Sequence, residues 1–120
     1  MVDVSVEGDR VIFEVEGLDK LWALKSRLDI PIGHIRSVRV DHDAAKGSWH
    51  GVNVGGADVP GLITAGAFFR EGRLVFYDTH KPENTIVVEL DHEDYDQLIL
   101  QVRDPAGAVA AIADAKARSR

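Results

Sequence analysis

The sequence predicts a mainly β domain: an antiparallel barrel or sandwich of roughly seven short strands, closed at one end by a C-terminal helix. Three observations predict it. Short runs of alternating apolar and polar residues recur along the chain, separated by glycine- and aspartate-bearing turns. Asp104-Pro105 opens an alanine-rich helical pattern at the end. Long strands joined by helical crossovers are missing, which argues against a doubly wound α/β fold.

Val2, Val4 and Val6 alternate with Asp3, Ser5 and Glu7, and Val11, Phe13 and Val15 with Ile12, Glu14 and Glu16. Gly8-Asp9 lies between the two runs, so they form a hairpin with an acidic outer face. Gly17 breaks the alternation. Leu18, Leu21, Trp22 and Lys25 then fall at helical spacing and predict a helix of about two turns. Core packing is the expected role of Trp22. Next comes Leu28-Asp29-Ile30, a short strand ended by Pro31, which lacks a ladder donor. Ile35, Val38 and Val40 resume inward positions, with Arg36, Ser37, Arg39 and Asp41 facing water.

Residues 43–61 carry five glycines and one proline and read as an irregular loop, with part of it strand near Trp49 to Val54. The apolar run from Leu62 to Phe69 is too short to be read as a helix. With Glu71-Gly72 as a tight turn and Leu74 to Tyr77 after it, a second hairpin is expected. His80 to Asn84 is a turn cluster. Ile86, Val88 and Leu90 mark another strand, and Leu98, Leu100 and Val102 the last. Asp104 caps a helix expected to reach about Arg118, with Val109, Ile112, Ala113 and Lys116 on one face. No repeat or linker divides the 120 residues, so a single domain is expected over 1–120.

Composition narrows the function classes. There is no cysteine, which removes disulfide and thiolate chemistry and fits a cytoplasmic location. Met1-Val2-Asp3-Val4 does not open as a signal peptide, and no apolar run approaches the length of a membrane span. A net charge of -6 argues against nucleic-acid binding and against a polybasic membrane patch.

Two segments then resemble the bacterial pleckstrin-homology-like family. One is the turn Ile30-Pro31-Ile32-Gly33-His34-Ile35-Arg36-Ser37-Val38 between strands. The other is Leu98-Ile99-Leu100-Gln101-Val102-Arg103-Asp104-Pro105 running into a helix. The resemblance covers most of the chain. It implies a seven-stranded, strongly bent antiparallel barrel capped by the C-terminal helix. It also implies an adaptor module, and some members assemble into rings. The family's phosphoinositide binding uses basic residues around the first hairpin. Here that loop is Glu7-Gly8-Asp9-Arg10, followed by Glu14 and Glu16, so a polyanionic headgroup would meet like charge and the lipid function is not carried over.

Catalytic and metal signatures are thin. Asp41-His42-Asp43, Asp78-Thr79-His80 and Asp91-His92-Glu93 put histidines beside carboxylates, without a recognised metal-ligand spacing. Neighbours on a strand also point to opposite faces. Ser48 and His50 form the one close serine–histidine pair, with no third residue to orient them. The expectation is therefore no catalytic residue, no metal and no cofactor. The candidate binding residues are Trp49 and His50 in the long loop and Phe69 beside Phe68. The expected function is a non-enzymatic module that binds protein or self-associates, through the 47–61 loop or an exposed strand edge. A small-molecule or lipid-binding barrel is the alternative. An enzyme using histidine and carboxylate residues is the third reading.

Overall fold

The computed structural model describes residues 1–16, 27–45, 51–59, 63–80 and 84–119. These contain nine strands and one α-helix. The strands are β1 (Val2–Glu7), β2 (Arg10–Val15), β3 (Arg27–Pro31), β4 (Ile35–Val40), β5 (Val52–Val59), β6 (Ile63–Arg70), β7 (Arg73–Thr79), β8 (Thr85–Leu90) and β9 (Gln97–Gln101). The helix α1 spans Pro105–Arg118, and a single 3-10 turn, Ile32–His34, joins β3 to β4. The short helix expected around Leu18 to Lys25, with Trp22, lies outside the described residues.

The mainly β class with a C-terminal helix is as expected, but the closed seven-stranded barrel is not. The strands form two open sheets, a three-stranded one in the order β1-β2-β3 and a six-stranded one in the order β4-β8-β9-β7-β6-β5. Nor is every pairing antiparallel. β9 inserts between β8 and β7 and runs parallel to β7. Local alternation reveals each strand but not which neighbour it takes, and a chain that skips one strand width after β7 leaves a gap that β9 fills. Asp96 sets that insertion. Its backbone N–H donates to Leu74 O at 2.8 Å, and its Oδ2 accepts from Leu74 N at 2.9 Å.

The two sheets face each other over one core. Phe13, Val15 and Ile30 come from the small sheet, and Phe76, Val88 and Leu98 from the large one. Ile112 and Ala115 of α1 join this core. The inward face of the helix is thus Ala108, Val109, Ile112 and Ala115; Val109 and Ile112 are as expected, whereas Ala113, expected on that face, is exposed. Asp104 caps α1 by accepting from Gly107 N at 3.0 Å, with Pro105 at the first helical position. The ammonium of the partly exposed Met1 lies 3.2 Å from Oδ2 of the fully buried Asp78.

Two sequence irregularities find a cause here. Ile35 and Val38 both face inward at an odd spacing because the β4–β8 register shifts between Ile35 and Ser37. Such a bulge flips the alternation once. Val40, expected inward, is 37% exposed at the end of its strand. The segment 43–61, expected as irregular loop with some strand near Trp49 to Val54, contains β5 over Val52–Val59, paired with β6. Gly56 faces Gly66 across that pair. A Cβ on Gly56 would lie 2.1 Å from Ala65 O. The glycines serve close backbone approach, a use that composition alone does not separate from loop flexibility.

Candidate functional site

β5 is the outermost strand of the six-stranded sheet, so among the described residues one of its backbone rims has no neighbour in that sheet. Its sequence, VNVGGADV, holds a single charged residue, Asp58. That carboxylate is engaged: Oδ1 accepts from Thr64 Oγ1 at 3.0 Å. Asn53 braces the irregular register of the strand, accepting from Gly55 N at 2.9 Å and donating to Gly56 O at 2.8 Å.

Apolar side chains surface at this corner. The exposed large hydrophobic residues among the described ones are Val40, Val52, Val54 and Phe69. Three of the four belong to β5 or its partner β6. Val52 is 60% exposed, Val54 55% and Phe69 47%, and Val52 stands directly opposite Phe69. Alternation explains the two phenylalanines. Phe68 is buried on the outer side of the sheet, edge-on to Tyr77 with ring centroids 5.4 Å apart. Phe69 points to the other face, beyond the end of the core, and stays in water.

Of the residues expected to bind, Phe69 is therefore exposed beside an open strand edge. Trp49 and His50 lie outside the described residues, as does Ser48. Val52 and Val54 are not among the expected site residues, although they fall in the part of the loop, Trp49 to Val54, expected as strand. Their Val-x-Val alternation was the signal available in the sequence.

Two histidine–carboxylate pairs form at the Asp91-His92-Glu93 cluster, the looser being His92 Nε2 with Asp91 Oδ2 at 3.7 Å. His34 Nδ1 lies 2.5 Å from Glu93 Oε2, and the His34 and His92 rings are 5.9 Å apart. His34 O also accepts from Asp91 N at 2.8 Å. The His34–Glu93 pair fastens the 3-10 turn to the β8–β9 turn. Among the described residues, no group of three or more His, Cys, Asp or Glu could hold a metal ion. Also among them, no helix is long and apolar enough to cross a membrane.

The outer face of the large sheet holds a second polar arrangement. Glu89 accepts from Arg73 Nη2 at 2.5 Å, Gln97 Nε2 at 2.7 Å and Arg39 Nη1 at 3.1 Å. Burial by itself would raise the Glu89 carboxyl, but these hydrogen bonds outweigh it and hold the group below its ordinary value. Nearby, Arg70 Nη1 donates to Tyr77 Oη at 3.2 Å.

Compared with family models, with curated proteins and with solved structures, the chain matches none.

Proposed function

We propose that this chain is a non-enzymatic interaction module that self-associates, two copies pairing β5 to β5 about a two-fold axis. The observation that carries the reading is the exposed Val52 and Val54 on an edge strand with a single charge, with Phe69 exposed beside them on β6. Such an edge is a template for strand addition, with main-chain hydrogen bonds supplying affinity and apolar side chains supplying register.

The second copy is the favoured occupant for two reasons. First, contact between β5 of one copy and β4 of the next would propagate without end, but β4 is obstructed. It carries Arg36 and Arg39 and a bulge, and Lys116 Nζ of α1 donates to Ile35 O. Pairing β5 with itself uses both open edges and closes the assembly at two. Second, each copy carries a net charge of -6, so association is easiest where charge is sparse. β5 is such a place.

We read the architecture as pleckstrin-homology-like, with open sheets in place of the closed barrel. The reading is supported by the N-terminal hairpin, the Pro31 turn and the helix that follows Asp104. It would make the protein an adaptor rather than an enzyme.

One strand edge and three apolar side chains make a small interface, so dissociation on the order of micromolar or weaker is expected. Size-exclusion chromatography with light scattering across a concentration series tests this. The wild-type mass should climb toward twice that of the monomer, and Val54→Lys should stay monomeric with an unchanged melting temperature. A wild-type protein that is monomeric up to about 1 mM, or a Val54→Lys variant that dimerises equally well, would sink the reading.

A further inference from the structure

On the outer face of the six-stranded sheet, well inside its β5 edge, lies a cavity of about 230 Å³. Strand alternation delivers three arginines to it, Arg39 from β4, Arg70 from β6 and Arg73 from β7. Val75, Val87 and Ile99 form its apolar floor.

The arrangement of charge is unusual for an acidic chain. Arg70 and Arg73 are directly paired across the β6–β7 ladder. Like charges at such a position destabilise a sheet unless something lies between them. Glu89 balances part of this charge, taking one nitrogen each of Arg39 and Arg73. Asp41 and Glu71 also line the cavity, Asp41 Oδ2 being 4.0 Å from Arg39 Nε. A guanidinium has five N–H donors. Arg39 donates one hydrogen bond, to Glu89, and Arg73 donates to Glu89 and to Asp96 O. Glu89 therefore orients both forks while using a minority of their donors.

We infer that this cavity binds a small molecule bearing a phosphate or carboxylate group, gripped by Arg39, Arg70 and Arg73. Planar guanidinium forks match both oxyanions. The cavity is below the roughly 300–1,000 Å³ of sites for drug-sized ligands, so the ligand is small. Glu89 acts as a positioning residue. Neither the β5 edge nor self-association is required.

The test is titration of the full chain with phenyl phosphate and with benzoate at constant ionic strength, followed by amide chemical shifts. Inorganic phosphate serves as the headgroup-only probe. The expected result is saturable binding of at least one organic anion, with shifts centred on Arg39, Arg70, Arg73 and Ile99. Arg39→Gln and Arg70→Gln should each weaken it about tenfold or more, since each removes a charge-assisted contact. Arg103→Gln, which removes an exposed arginine far from the cavity, should leave it unchanged. The variants' own amide spectra report whether each is folded, and two independent arginines guard against a folding failure at one. Preference for phenyl phosphate or for benzoate identifies which oxyanion the forks select. Inorganic phosphate binding as tightly as phenyl phosphate would overturn the organic ligand. Shifts that do not saturate, or binding that survives both cavity substitutions, would overturn the site.

Discussion

The two edges of the six-stranded sheet are built in opposite ways. β4 is crowded. Its ladder is bulged between Ile35 and Ser37, Arg36 and Arg39 stand on it, and α1 lies against it with Lys116 donating to the Ile35 carbonyl. β5 has apolar side chains in water, paired glycines and one engaged carboxylate. Bulges, inward charges and covering helices are the means by which proteins keep strand edges from pairing. Both edge strands are bulged, β5 between Asn53 and Gly55, but among the described residues only β4 also carries arginines and a covering helix, and the proposed pairing through β5 rests on that difference.

The contrast can be broken from the guarded side first. Ile112→Ala removes the fully buried anchor of α1 and should destabilise the fold by about 2–5 kcal/mol. Urea denaturation would measure the loss, and light scattering should show aggregation as β4 is uncovered. A loss within experimental error would mean that α1 is not held by its core face.

Detaching the bare edge should cost somewhat less. Gly66 has φ +113, and a Cβ there would lie 2.3 Å from Gly55 O. Gly66→Ala should therefore cost about 1–3 kcal/mol through backbone strain and push β5 off the sheet. Hydrogen exchange should rise along Val52–Val59 while β8 and β9 stay protected. Uniform loss of protection would show that β5 and the core unfold together.

Lys116→Ala acts more gently, because it removes one hydrogen bond at the β4 rim. The expected loss is about 0.5–1.5 kcal/mol, together with assemblies larger than a dimer once a second edge opens. Light scattering would detect these species. Their absence would mean that the arginines and the bulge suffice to guard β4.

The smallest effect lies away from both edges. Arg103 bonds to Asp3 at 2.7 Å and to Glu16 at 2.9 and 2.8 Å. It lowers the Glu16 carboxyl to about 2 from an ordinary 4.5. The folded state then binds fewer protons than the unfolded one between those values. The contribution is present in full above pH 4.5 and fades as the pH falls toward 2. Asp3, raised chiefly by its hydrogen bond to Glu16, has the opposite sign and trims the effect. Melting curves of Arg103→Ala and wild type should differ slightly at neutral pH and converge in acid. A difference that grows in acid would contradict this assignment.

Legibility differed along the same lines. The β1–β2 hairpin, the β6–β7 turn at Glu71-Gly72, β8, β9 and the capped helix were plain in the sequence, because alternation, turn glycines and the Asp-Pro cap are local signals. β5 was legible only at its start, in the strand expected near Trp49 to Val54, since glycines placed for close contact with β6 look the same in sequence as glycines of a loop. The exposure of Phe69 was open to two readings. A run in which both faces are buried from Ile63 to Phe68 gives no pattern to show where the core ends.

The sequence by itself determined the elements that carry local signals, the absence of cysteine and the acidic balance, because these follow from residue type and short-range spacing. Tertiary structure alone decided that the sheets stay open, that β9 runs parallel to β7, and that Arg39, Arg70 and Arg73 meet at one cavity. It also decided which edge is guarded. Strand order and register bring together residues far apart in the chain, and period-2 alternation contains no term that names the partner.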